Sequence, residues 1–198
     1  MDGKYSKIAL LVDMDDTIED LLPAWVDWLN AANRLHVDAE SITDWNITKF
    51  FPTLSEEDIY SPLVTDKFWQ TVRPKPGAAT YLKKLVTDGF NLYICTCSSY
   101  LTIRKKLDCV LGQYFPFIPY DRVITIRDKQ LLKGDILVDD GVHNFIGGSY
   151  VKLLMTAPHN KLYDAEANGM TRVDNWDEAY NQIIKFANQI LNKKEENI

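Results

Sequence analysis

Apolar residues in this chain come in short runs that stop at polar or acidic residues. Ile8-Ala9-Leu10-Leu11-Val12 is unbroken, which predicts a strand buried on both faces, as at the centre of a parallel sheet. Phe90 to Cys95, Val123 to Ile126, Asp135 to Val138 and Tyr150 to Met155 predict four more strands. Between them the apolar period changes to three and four. Leu22, Trp25, Val26, Leu29 and Ala32 predict a helix over 21–35. Tyr81, Leu82, Leu85 and Val86 predict one over 78–87, and 101–111 reads as another. Pro76 suits the start of the second helix, and Gly89 the position just past its end. Trp176 to Leu191 predicts a last amphipathic helix, begun by Asp174 or Asn175, with a frayed polar tail over 192–198. Strands alternating with helices are the mark of βαβ units, so the fold class is α/β, a parallel sheet with helices on both faces.

Residues 38–73 break the pattern. Trp45, Phe50, Phe51, Tyr60, Phe68 and Trp69 crowd among short helical pieces, interrupted by Pro52 and Pro62. Thr53 or Ser55 supplies a helix N-cap before Glu56 and Glu57. No strand pattern occurs here. Together with the preceding helix this stretch reads as a small helical cap, residues 20–73, inserted after strand one of a core formed by 1–19 and 74–198. Its aromatics are either the core of that cap or a wall for a flat ligand, with Trp45, Phe50, Phe68 and Trp69 as the candidates.

Composition narrows the class. The chain has 198 residues, 46% hydrophobic and 25% charged, which suits one globular domain with an insert. A net charge of -6 argues against a binder of polymeric nucleic acid, which needs a basic face. A small phosphate ester stays possible, since a metal ion and one lysine neutralise it locally. Cys95, Cys97 and Cys109 are too few and too badly spaced for a disulfide framework, so they read as reduced thiols of a cytoplasmic protein. No signal-peptide pattern and no membrane-spanning run is expected.

The chemistry sits where the strands stop. Strand one ends in Asp13-Met14-Asp15-Asp16-Thr17. Crowded carboxylates raise one another's pKa unless a cation joins them, and Mg²⁺ is a natural partner for oxygen ligands; the alternative is a solvated acidic turn. Strand two ends in Thr96-Cys97, Lys129 follows strand three, and strand four ends in Asp139-Asp140. In a parallel sheet these groups share one edge. There they make a phosphoryl-transfer site. Asp13 is the candidate nucleophile, and Asp15 the acid and base. Thr96, Cys97 and Lys129 would bind the phosphate. Asp13, the carbonyl of Asp15, and Asp139 or Asp140 would hold Mg²⁺.

Asp13-x-Asp15-x-Thr17, Thr96, Lys129 and Asp139-Asp140 resemble the four motifs of the haloacid dehalogenase-like phosphatases. The resemblance implies a Rossmann-like core with a mobile cap and Mg²⁺-dependent phosphoester hydrolysis. A narrower likeness, to the 5′(3′)-deoxyribonucleotidases, adds Ile94-Cys95-Thr96, Arg127-Asp128-Lys129, the run from Leu153 to Asn160, and Asp174-Asn175-Trp176. It implies deoxynucleoside monophosphates as substrates, cap aromatics around the base, and Asp140 as the metal ligand with Asp139 orienting the loop. Asp16-Thr17 stands where that family has Gly-Val, and Cys97-Ser98 where it has Ser-Pro. A sugar phosphate or another small organic phosphate is the alternative substrate. A non-catalytic receiver-type domain is the alternative from another class, although a receiver has no use for a cap or for Asp15. His159 is a lesser candidate, direct or structural. Arg104-Lys105-Lys106 reads first as a solvated basic turn, with one charge aimed at phosphate as the alternative.

Overall fold

The five predicted strands and one more make a single parallel sheet in a computed structural model that describes residues 3–196. In chain order the strands are β1 (Ala9–Val12), β2 (Asn91–Thr96), β3 (Val123–Thr125), β4 (Ile136–Asp139), β5 (Val151–Met155) and β6 (Thr171–Val173). Their spatial order is β3-β2-β1-β4-β5-β6. The order reverses at β1, and ligands bind at the C-terminal edge of such switch points. Val12 is in register with Ile94 on one side and Val138 on the other. Asp13, Thr96 and Asp139 therefore emerge together, and the Asp13 N–H closes the edge by donating to the Val138 carbonyl at 2.9 Å.

Alternation within the strands divides the core. Leu10, Val12, Ile94, Val138 and Leu153 face the larger apolar cluster; Leu11, Cys95, Leu137 and Leu154 face a smaller one. Among the described residues seven α-helices accompany the sheet: α1 (Leu21–Asn33), α2 (Glu56–Tyr60), α3 (Asp66–Trp69), α4 (Ala78–Thr87), α5 (Tyr100–Lys106), α6 (Gly112–Tyr114) and α7 (Trp176–Glu196). The larger cluster lies under α1, α4 and α7. The smaller one is closed by Phe145, Tyr150, Ala165 and Met170 from short 3-10 turns and loops.

Several expectations need correction. β6 carries one buried residue in three, too little pattern to announce a strand. α4 begins at Ala78, capped by Gly77 in the left-handed region, so Pro76 lies just outside it. α7 runs to Glu196, so 192–196 is helical; the rest of the expected frayed tail lies outside the described residues. The expectations for Gly89 and for the caps of α2 and α7 hold. Gly89 has a φ of 94° just past α4. Ser55, rather than Thr53, caps α2 in a capping box with Asp58. Asn175 accepts the Glu178 N–H at the head of α7. All three cysteines are free. No helix among the described residues is long and apolar enough to cross a membrane.

Between β1 and α4 the described residues form only helices and turns. The chain enters and leaves this region side by side. The Asp20 N–H donates to the Arg73 carbonyl and the Lys75 N–H to the Ile18 carbonyl, both at 2.9 Å, and Lys75 pairs with Asp20 at 3.0 Å. Inside the region the Trp25 indole N–H donates to Ile59 O and that of Trp69 to Leu63 O, each at 2.7 Å.

Candidate active site

The site is built from the ends of β1, β2 and β4 and the turn after β3. Beyond Asp13 the Met14 carbonyl accepts from the N–H groups of Thr17, Ile18 and Glu19, which curls the acidic loop into a turn. Asp16 takes a φ of 50° there. Short polar side chains tolerate that left-handed conformation better than others. The Asp16 carboxylate accepts from the Leu22 N–H at 2.9 Å and so caps α1.

Lys129 stands at the centre, 1% exposed. Its ammonium donates to both Asp13 and Asp139. The other oxygen of Asp139 accepts from the Gly141 N–H and from Asn144 Nδ2, each at 2.8 Å. A Cβ on Gly141 would come within 2.8 Å of that same Asn144 nitrogen, so a larger residue here would push Asn144 away from Asp139. Both oxygens of Asp139 thus accept from protein donors. Asp140 is held differently: His159 Nε2 lies 3.2 Å from its carboxylate, and Asn160 Nδ2 donates to its backbone carbonyl at 2.8 Å. Carboxylate oxygens of Asp13, Asp139 and Asp140 all lie within 4.8 Å of one another.

Electrostatics follow from burial. Desolvation pushes the Asp13 carboxyl well above its ordinary range; Lys129 opposes this, while Asp139, Asp140 and Asp15 add to it. Asp139 is raised for the same first reason, with Lys129 again opposing. Burial lifts Asp16 to about 7, and Asp140 adds to the rise. Burial would lower Lys129, but attraction to Asp13 and Asp139 outweighs it and its pKa rises. Burial would lower His159, but its hydrogen bonds and charge attraction to Asp140, with Asp16 adding, together outweigh this and its pKa rises. Three buried carboxylates around a single lysine are short of positive charge. Their hard oxygen donors fit a divalent cation.

The predicted phosphate-binding residues gather at the same edge. Thr96 is fully buried and Cys97 is exposed at the rim. Two cavities open on either side of Asp15. One, of about 490 Å³, is lined by Asp13, Cys97, Arg127, Lys129, Gln130 and Asn144. The other, of about 230 Å³, runs beneath the helical region past Asp16, Trp25, Ile42, Tyr60, Asp140 and His159. Trp45 lines both. It is 60% exposed, edge-on to His143 at 4.7 Å and to His159 at 5.0 Å. The other three aromatic candidates do not reach a cavity. Phe68 and Trp69 are fully buried against Trp28 and each other, and Phe50 packs against the core. Phe68 and Trp69 sit where the apolar faces of α1 and α3 meet. Trp25 and Tyr60 are the aromatics that join Trp45 at a cavity wall.

Sequence reading gave one group too little weight and missed another. Lys106 is not solvated: it is 3% exposed and donates to Asp15 Oδ2 at 2.6 Å and to Thr96 Oγ1 at 3.2 Å. Its spacing from Ile103 and Val110 puts it on the inward face of its helix, a signal the basic run around it masked. Of its neighbours, Lys105 pairs with Asp66 and Arg104 with Asp108 at the surface. Glu19 is the second. It is fully buried, neither of its oxygens has a hydrogen-bond partner, and burial drives its pKa well up.

Comparison with known proteins adds an independent line. Residues 6–190 match the family model described as 5′ nucleotidase, deoxy (Pyrimidine), cytosolic type C protein. The chain is 31% identical over 180 residues to a 5′(3′)-deoxyribonucleotidase of Bacillus subtilis, spanning 90% of this chain and 99% of that one. A 5′(3′)-deoxyribonucleotidase of Clostridium acetobutylicum is 30% identical over 174 residues, 88% of this chain and 93% of the other. Among solved structures, a haloacid dehalogenase-like hydrolase from Streptococcus pneumoniae superposes with a TM-score of 0.63 at 15% identity, covering 89% of this chain and 98% of that one. A haloacid dehalogenase-family hydrolase from Deinococcus radiodurans, solved with phosphate and sodium bound, gives 0.63 at 16% identity over 93% and 97%. The structural matches establish the fold. The family match sets aside the receiver-type alternative. With acids, threonine and lysine converging on one sheet edge, the chain belongs to the family of 5′ nucleotidase, deoxy (Pyrimidine), cytosolic type C proteins.

Proposed function

We propose that the protein hydrolyses deoxynucleoside monophosphates, with Asp13 as nucleophile and Asp15 as acid and base. The observation that carries this reading is the buried Asp13–Lys129–Asp139 contact beside Asp140, at the reversal point of a parallel sheet. A carboxylate oxygen of Asp13 attacks phosphorus, the bond to the nucleoside oxygen breaks, and that oxygen takes the Asp15 proton. A water then attacks the aspartyl-phosphate and gives its proton to Asp15, which releases phosphate and restores Asp13. Thr96, Cys97 and Lys129 bind the phosphate oxygens. Mg²⁺, held by Asp13, Asp140 and the Asp15 carbonyl, would supply the positive charge that lets an anionic nucleophile meet an anionic phosphate. Asp139 orients the loop and Lys129 rather than binding the ion, since both its oxygens already accept from protein donors.

Residues 20–73 act as a cap over a core of 1–19 and 74–198, hinged at the paired crossings of Asp20 and Lys75. Trp45, with Trp25 and Tyr60, forms the wall for the base. A substrate panel tests this: deoxynucleoside monophosphates, the matching ribonucleotides, and sugar phosphates, each with Mg²⁺. The deoxynucleotides should have the highest kcat/KM. A sugar phosphate preferred by about tenfold, 1.4 kcal/mol of transition-state stabilisation, would overturn the nucleotide assignment.

A further inference from the structure

Lys106 is a buried cation in the site to which the scheme above gives no task. It closes α5 and is followed by a wide π turn over Leu107–Leu111, a rare geometry that recurs at functional sites. Its ammonium reaches Asp15 Oδ2 at 2.6 Å and Thr96 Oγ1 at 3.2 Å, and lies 5.5 Å from the centre of the Trp69 ring. An ammonium is costly to bury, and an apolar residue of similar size would serve packing as well or better. Its two acceptors are the proposed leaving-group acid and a proposed phosphate ligand. Among the described residues, Lys106 gives the Asp15 carboxyl its single hydrogen bond. Asp15 Oδ1 and both oxygens of the buried Glu19 have none. Among the described residues, Lys106 is the one cation paired with that carboxyl.

We propose that Lys106 is a positioning residue for proton transfer: it anchors Asp15 on one side and Thr96 on the other, so that acid and phosphate are held in one geometry. This rests on Asp15 acting as the leaving-group acid. A nucleoside oxygen leaves as a poor alkoxide and needs that proton; 4-nitrophenolate leaves without one. The ratio of kcat/KM for a deoxynucleoside monophosphate to that for 4-nitrophenyl phosphate therefore reads the acid step. Hydrolysis of the aspartyl-phosphate comes after leaving-group departure and is common to both esters.

Lys106→Met, measured with Mg²⁺ in the full chain, should lower this ratio by about fivefold or more, within the range that a general acid supplies. Lys106→Gln keeps much of the stem and a donor, and serves by the same criterion if the methionine variant does not fold. Asp15→Asn is the reference. If it leaves the ratio unchanged, Asp15 is not the acid and the role of Lys106 falls with it. If it lowers the ratio while the Lys106 variant changes it by less than about fivefold, or depresses both esters alike, the positioning role is overturned and the Asp15 assignment stands.

Discussion

A cluster of carboxylates this deeply buried has a pH signature. Asp13, Asp16, Glu19 and Asp139 all have pKa values raised first by desolvation, Asp16 to about 7. In the folded state they bind protons that the unfolded chain would have released. Ionising them costs folded stability, so without a divalent ion stability should fall as pH rises from about 4, the unfolded value, to about 7. A cation in the cluster removes that cost. Thermal melts in chelator should therefore show a lower Tm at about pH 7.5 than at about pH 5, with Mg²⁺ restoring most of the loss at the higher pH. A Tm insensitive to Mg²⁺ at both pH values would contradict the reading of Asp13 and Asp140 as ligands. At this scale the sequence names the acids, Thr96 and Lys129, because each lies at or shortly past the end of an apolar strand. It does not reveal that Asp139 is consumed by Lys129, Gly141 and Asn144, or that Asn160 pins the Asp140 backbone. Those roles depend on which oxygen faces which donor.

Elements were legible in proportion to their apolar pattern. β1, β2, β4 and β5 are buried on both faces and were readable as runs, whereas β6 is short and borders the solvent. Helical periodicity identified α1 and α4, but not which aromatics of the segment between them point inward. Trp69 and Phe68 follow the face of α3 that meets α1, while Trp45 lies on a loop between two short turns and is left at the cavity mouth. Trp45→Ala should therefore raise KM for a deoxynucleotide by about fivefold to a hundredfold, the range for loss of one base–aromatic stack of about 1–3 kcal/mol. Hydrolysis of a small alkyl phosphate, with no base to stack, should change little. Equal losses on both would place Trp45 in support of the loop rather than against the base.

Across the whole molecule, the sheet register converts four separate sequence motifs into one site. Val12 beside Ile94 and Val138 sets Asp13, Thr96 and Asp139 on one edge, and the paired crossings at Asp20 and Lys75 hang the helical segment above it. Alternating strands and helices were enough to anticipate that convergence. The smaller apolar face, closed by turns instead of helices, was not foreseeable, because the turns that close it have no helical period. The central claim is that Asp13 is the nucleophile of a nucleotidase. Phosphate release from a deoxynucleoside monophosphate, with Mg²⁺ present, tests it most directly in the wild type and in Asp13→Asn, which keeps shape and removes the attacking charge. The account predicts steady release by the wild type and a loss of about 10³-fold or more in kcat for the variant, as expected when a covalent nucleophile is removed. Activity in Asp13→Asn within about tenfold of wild type would contradict it.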